Sequence, residues 1–120
     1  MSEEKNYGFV SESFEEDENG RYYLDYKLKY PVRMGDARRE NLRVHRVSMG
    51  ALSESNKQKT PEEKDDALVR SALRMAPDEI KKIDVCDYMA IKMKVVGFLL
   101  EAGQDNPQIQ KMMEMATKVA

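Results

Sequence analysis

From position 22 the chain alternates, with Tyr22, Leu24, Tyr26, Leu28 and Tyr30 on one face and Tyr23, Asp25, Lys27 and Lys29 on the other. A period of two is that of a half-buried strand, and it predicts one over residues 22–30. Pro31, which has no N–H to offer a ladder, is expected to stop it. Met34-Gly35-Asp36 supplies turn chemistry, and Asn41-Leu42-Arg43-Val44-His45-Arg46-Val47 resumes the alternation. The expectation is a β-hairpin with a long, basic loop.

Beyond Val47 the period changes to that of helices. Ser48 can cap a short helix over residues 49–53, after which residues 53–59 are polar and read as a linker. Thr60-Pro61-Glu62-Glu63 joins an N-cap hydroxyl, a proline in the first turn and a glutamate placed to close a capping box, so a helix is expected over residues 61–76. Pro77-Asp78-Glu79 can start one further turn. Asp84 can cap a longer helix over residues 85–102, ended by Gly103. In that helix Val85, Tyr88, Met89, Ile91, Val95, Val96, Phe98, Leu99 and Leu100 cover more than half of the circumference and leave a narrow polar strip at Asp87, Lys94 and Glu101. Such a helix needs covering on more than one side. A last helix is expected over residues 107–118, where Ile109, Met112, Met113, Ala116 and Val119 recur at helical spacing. The fold class is therefore α+β, an N-terminal β-hairpin packed against a small bundle of three to five helices.

Charge divides the chain. Residues 1–20 carry seven acidic side chains and one lysine, and residues 21–47 carry eight basic and three acidic ones. The first stretch offers little apolar area to offset the entropy of ordering it, which suggests an acidic, flexible arm at 1–20, an α+β domain at 21–102 and an amphipathic, methionine-rich segment at 103–120. With a formal net charge of -2, the balance of signs names no partner. The strongest apolar run, residues 95–100, is far shorter than the roughly 20 residues a membrane span needs, and the start is acidic, so neither membrane insertion nor export is expected. The single cysteine, Cys86, cannot close an internal disulfide, which fits a reducing cytoplasm.

Candidate chemistry is sparse, and no catalytic, cofactor-binding or metal-ligating residue is assigned. His45, the one histidine, is expected as a solvated, partly cationic ring in a strand beside Arg43 and Arg46. Cys86 lies in a first helical turn, but Asp84 and Asp87 oppose its thiolate, so it reads as a structural thiol. Asp65-Asp66 reads as solvated helix surface. Arg33, Arg38, Arg39, Arg43 and Arg46 on and beside the hairpin could neutralise phosphates, with Tyr22, Tyr23, Tyr26 and Tyr30 available to stack bases; the acidic arm competes for the same arginines. The stripe Ile109, Met112, Met113, Ala116 and Val119 either closes the protein's own core or offers a partner an adaptable surface, because methionine conforms to irregular apolar shapes. Lys92, inside the apolar arc, is either a snorkelling stem or a cation facing a partner.

Taken in order, several segments resemble the Mu-like, or E-type, phage tail assembly chaperones. These are the hairpin end at residues 41–47, Ser48-Met49-Gly50-Ala51-Leu52, Ala67-Leu68-Val69-Arg70, Met75-Ala76-Pro77-Asp78-Glu79-Ile80, Ile83-Asp84-Val85-Cys86-Asp87-Tyr88 and Val96-Gly97-Phe98-Leu99. The resemblance covers residues 22–100. It implies a protein of the bacterial host cytoplasm that binds the phage tape measure protein and keeps it soluble during tail assembly, without catalysing a reaction. Partner-binding residues would then be Ile109, Met112, Met113, Ala116, Val119 and Lys92. Two rivals are a small nucleic-acid-binding regulator that uses the arginine hairpin, and a protein that self-associates through its last helix.

Overall fold

The computed structural model describes residues 7–105 and Lys111, with the backbone alone for residues 102–105. The fold is α+β. Strands β1 (Gly8–Phe9), β2 (Glu15–Glu16), β3 (Tyr22–Met34) and β4 (Ala37–His45) are followed by helices α1 (Met49–Asn56), α2 (Pro61–Leu73), α3 (Pro77–Ile80) and α4 (Val85–Asp105). All strand pairs are antiparallel: β4 lies along one edge of β3, and β1 and β2 pair with it as short pieces.

The alternation read from the sequence sets the layers. Leu24 lies across from Val44 and Tyr26 across from Leu42, and these four side chains with Leu28 face the helices. Against them pack Leu52 from α1, Leu68, Val69, Ala72 and Leu73 from α2, and Ile91, Val95, Phe98 and Leu99 from α4. Two parts of the hairpin differ from expectation. Pro31 does not end β3, because it falls within a register irregularity between Lys27 and Val32, where a residue without an N–H costs no ladder bond. The loop is also short: Met34 pairs with Ala37, and Gly35, at φ 64, takes the left-handed conformation that so tight a turn requires.

Helix starts follow the capping chemistry, and helix ends follow it less well. Thr60 Oγ1 accepts the Glu63 N–H at 3.1 Å, and Glu63 Oε1 accepts the Thr60 N–H at 3.1 Å, closing the expected capping box. The expected linker is partly helix: α1 runs on to Asn56, and Ser55 is fully buried with its hydroxyl donating to the Lys64 carbonyl at 2.9 Å. A hydroxyl with one local backbone acceptor can be buried at small cost, and composition does not reveal that. Helix α2 stops at Leu73 and not Ala76, because Arg74 turns left-handed at φ 56 and returns its N–H to the Arg70 carbonyl. Helix α4 passes through Gly103 to Asp105.

Residues 7–20, expected as a separate arm, lie against the sheet. Phe9 meets the Tyr26 ring edge-on at 4.9 Å, Phe14 packs 5.7 Å from Phe98, and Asp17 points a carboxylate only 1% exposed into the structure. The few aromatics of the arm thus find places on β3 and α4. The helix expected over residues 107–118 lies outside the described residues except for Lys111, which is helical and exposed. Among the described residues no helix is long and apolar enough to cross a membrane.

Candidate protein-binding face

Helix α4 is fixed in rotation by polar contacts at and after its start. Asp84 Oδ1 accepts the Cys86 N–H at 2.8 Å, an N-cap bond. Three residues on, Asp87 is fully buried, which corrects its expected place in a solvated polar strip. Its Oδ1 accepts the Tyr26 hydroxyl and the Lys29 N–H, both at 2.9 Å, and its Oδ2 accepts the Tyr30 N–H at 3.0 Å. These two backbone donors sit in the β3 irregularity, so one carboxylate satisfies what the broken ladder leaves open, close to the positive end of a helix. Burial foremost, and then the Asp87 carboxylate, push the Tyr26 hydroxyl well above its ordinary pKa, so it stays a donor.

The Asp65-Asp66 pair is likewise not idle surface. Asp66 accepts the Tyr88 hydroxyl, and Asp65 Oδ2 lies 3.1 Å from Lys92 Nζ in a half-buried pair. The Lys92 cation, read either as a snorkelling stem or as facing a partner, ties α4 to α2 through this pair.

With that rotation set, α4 buries Ile91, Val95, Phe98 and Leu99 and turns a second apolar face outward. Val85 is 71% exposed, Met89 45%, Met93 72% and Leu100 51%, and Gly97 continues the same line. The spacing of three and four residues places all five on one stripe, about 22 Å long at the helical rise of 1.5 Å per residue. The sequence requires cover on more than one side of this helix. Among the described residues only one side is covered.

The arm builds a wall beside the stripe. Arg46 spreads its guanidinium over the Phe14 and Phe98 rings, 5.0 Å from each. Next to them a groove of about 250 Å³ opens between Phe14 and Glu12 on the arm and Met93, Lys94, Gly97 and Glu101 on α4. Its notch is at Gly97, where an added Cβ would meet nothing within 4 Å. An apolar floor, a notch between Met93 and Leu100 and charged rims suit the apolar face of a partner helix.

The other sequence candidates are placed elsewhere. His45 is 7% exposed, not solvated, because Val44 and His45 are both covered at the end of β4. Its Nδ1 lies 3.2 Å from the Ala72 carbonyl at the end of α2 and its Nε2 3.1 Å from Asp17 Oδ2. Both neighbours are acceptors, so both ring nitrogens are engaged by the protein's own groups. Arg74 Nη1 adds a contact of 3.4 Å to the same Asp17 oxygen, while Asp17 Oδ1 accepts the N–H groups of Asn19 and Arg21, both at 2.9 Å. The Arg21 N–H above all, with Asn19, His45 and Arg74 and against the cost of burial, holds the Asp17 carboxyl below the usual carboxylate range.

The hairpin arginines do not form one surface. Arg38 and Arg39 are successive in β4 and so point to opposite faces. Arg33 donates to the Asp36 carbonyl at 3.5 Å, Arg38 pairs with Glu40 at 3.8 Å, and Arg43 pairs with Glu18 of the arm at 3.7 Å while lying over the Tyr23 ring. Cys86 is exposed in the first turn of α4. Among the described residues no group of three or more His, Cys, Asp or Glu side chains could hold a metal ion. Ile109, Met112, Met113, Ala116 and Val119 lie outside the described residues. The stripe on α4 was missed as a site because its residues merge with the buried ones in a nearly all-round apolar helix; the exposed line at 85, 89, 93, 97 and 100 emerges only when the rotation is known.

No family model, curated protein or solved structure matches the chain.

Proposed function

We propose that the chain is a tail assembly chaperone that shields an amphipathic helix of the phage tape measure protein on the exposed face of α4. The observation that carries this reading is the apolar line Val85, Met89, Met93 and Leu100, open along one face of an otherwise packed helix. A contiguous exposed apolar strip is costly for a protein to keep and marks an interaction surface. The ordered series of segments over residues 22–100 that resembles the Mu-like tail assembly chaperones names the partner, a long helical protein whose own apolar stripes need cover before assembly. Two methionines and a glycine notch make the face tolerant of different helical sequences, as a chaperone of many successive stripes requires. The reading assigns the protein no reaction.

Co-expression with the tape measure protein of the same genome tests the proposal. The expected result is a soluble tape measure protein that co-purifies with this chain. A tape measure protein that stays insoluble and does not co-purify would remove the proposal.

A further inference from the structure

Among the described residues β4 pairs with β3 alone. Facing residues of an antiparallel pair alternate between those that exchange both backbone bonds and those that exchange none. Arg46 donates its N–H to the Tyr22 carbonyl at 3.1 Å, so the bonded pairs that follow are Leu24 with Val44 and Tyr26 with Leu42. The bond from the Val10 N–H to the Asp25 carbonyl agrees, because it leaves β3 on the side of β1. The N–H and C=O groups of Asn41 and Arg43 therefore point away from β3, to the outer edge of the sheet, and both residues are exposed.

A groove of about 380 Å³ lies on this edge. Arg39, Asn41 and Arg43 line it from one face of β4, and Leu42, with Leu73 and Met75 at the end of α2, lines it from the other. A strand added here would alternate its own side chains in the same way. We propose that the β4 edge docks an extended segment of a partner protein as a further strand, with acidic residues four apart across from Arg43 and Arg39 and an apolar residue across from Leu42.

Charge selects this occupant. Arg39 pairs with no carboxylate among the described residues, and the pair of Arg43 with Glu18, at 3.7 Å, is exposed and easily exchanged. The acids near the groove are engaged elsewhere. Asp25 accepts from Asn41 Nδ2 at 3.3 Å and stands on β3, two strand spacings of about 4.8 Å from an added strand, and Glu79 accepts the Ala76 N–H at 3.0 Å. A second copy is the poorer occupant, because antiparallel β4 edges would bring the two Arg43 side chains to diagonal positions about 7–8 Å apart. Arginines on an open edge also keep it from pairing indiscriminately. The site is separate from the α4 face, so it stands or falls independently of the chaperone reading.

The test uses the full chain and a synthetic peptide with the core Glu-Val-Thr-Val-Glu. Without peptide, the Asn41 and Arg43 amides are expected to exchange with solvent as open backbone does. Strong protection would overturn the proposal, and protection that grows with protein concentration would do so in favour of a second copy. Saturating peptide is expected to slow both amides by about tenfold or more. A peptide with lysine in place of glutamate should bind about tenfold more weakly, as expected when two cross-strand charge pairs turn from attraction to repulsion. No binding at millimolar peptide, binding without protection of these two amides, or equal binding of the two peptides would overturn the proposal. An Arg39→Glu, Arg43→Glu variant should prefer the lysine peptide, and an unchanged preference would overturn the assigned contacts. Should that variant fail to fold, the two peptides and the amide exchange of the unaltered chain carry the test.

Discussion

In an Asp87→Ala variant the Tyr26 hydroxyl and the N–H groups of Lys29 and Tyr30 lose their acceptor together. A buried donor left unpaired costs about 1–3 kcal/mol. The Tyr26 residue is 2% exposed and takes the larger share, whereas Lys29 and Tyr30 are exposed residues whose N–H groups can regain water. The sum is about 3–4 kcal/mol, a large part of the roughly 5–15 kcal/mol that holds a domain together. A Tyr26→Phe variant removes one donor and leaves the carboxylate two, so it should lose about 1–1.5 kcal/mol. In the double variant the hydroxyl is no longer stranded, and the loss should fall short of the sum of the two single losses. Urea unfolding followed by far-ultraviolet circular dichroism measures all three. If Asp87→Ala costs less than about 1 kcal/mol, or the losses simply add, then α4 is not anchored through this carboxylate.

Three further outcomes are expected. The Asp17 carboxyl titrates lower in the folded protein than the ordinary value of 3.8, so its stabilisation is complete above that value and is lost as pH falls through the depressed one. Urea midpoints should therefore decline at acid pH less steeply in Asp17→Asn than in the parent, and equal slopes would speak against a stabilising role for the ionised Asp17 carboxylate. Ser55→Ala removes the 2.9 Å hydrogen bond that ties α1 to the Lys64 carbonyl of α2 and should cost about 1 kcal/mol in the same assay. Gly97→Ala should instead raise stability by about 1 kcal/mol, since the added Cβ meets nothing within 4 Å and glycine weakens a helix interior.

Those parts of the fold that rest on local chemistry were legible in the sequence. The period of two at residues 22–30, the capping box at Thr60 and the aspartate before α4 each have a cause within a few residues, and each lies where the pattern places it. What was not legible depends on neighbours far along the chain. Pro31 sits inside a strand because Asp87, more than fifty residues away, takes the N–H groups of the two residues before it. His45 is covered because Asp17 and the end of α2 close over its ring. Asp65 looks solvated alone and Lys92 looks like a lone cation in an apolar arc, yet the two are half-buried as a pair. The candidate face was legible only as an excess of apolar positions on one long helix; which of them point outward is decided by the contacts of Asp87, Tyr88 and Lys92.

The most direct test of the central claim is the affinity of a helical tape measure fragment for the parent chain and for a Met89→Asp, Met93→Asp variant, with circular dichroism to show that the fold is kept. Both methionines are exposed, so the fold should be unaffected. Losing even one apolar contact worth about 1.4 kcal/mol weakens binding tenfold, and the variant is expected to lose at least that much. Binding at the parent's affinity with the fold intact would contradict the assignment of α4 as the binding face.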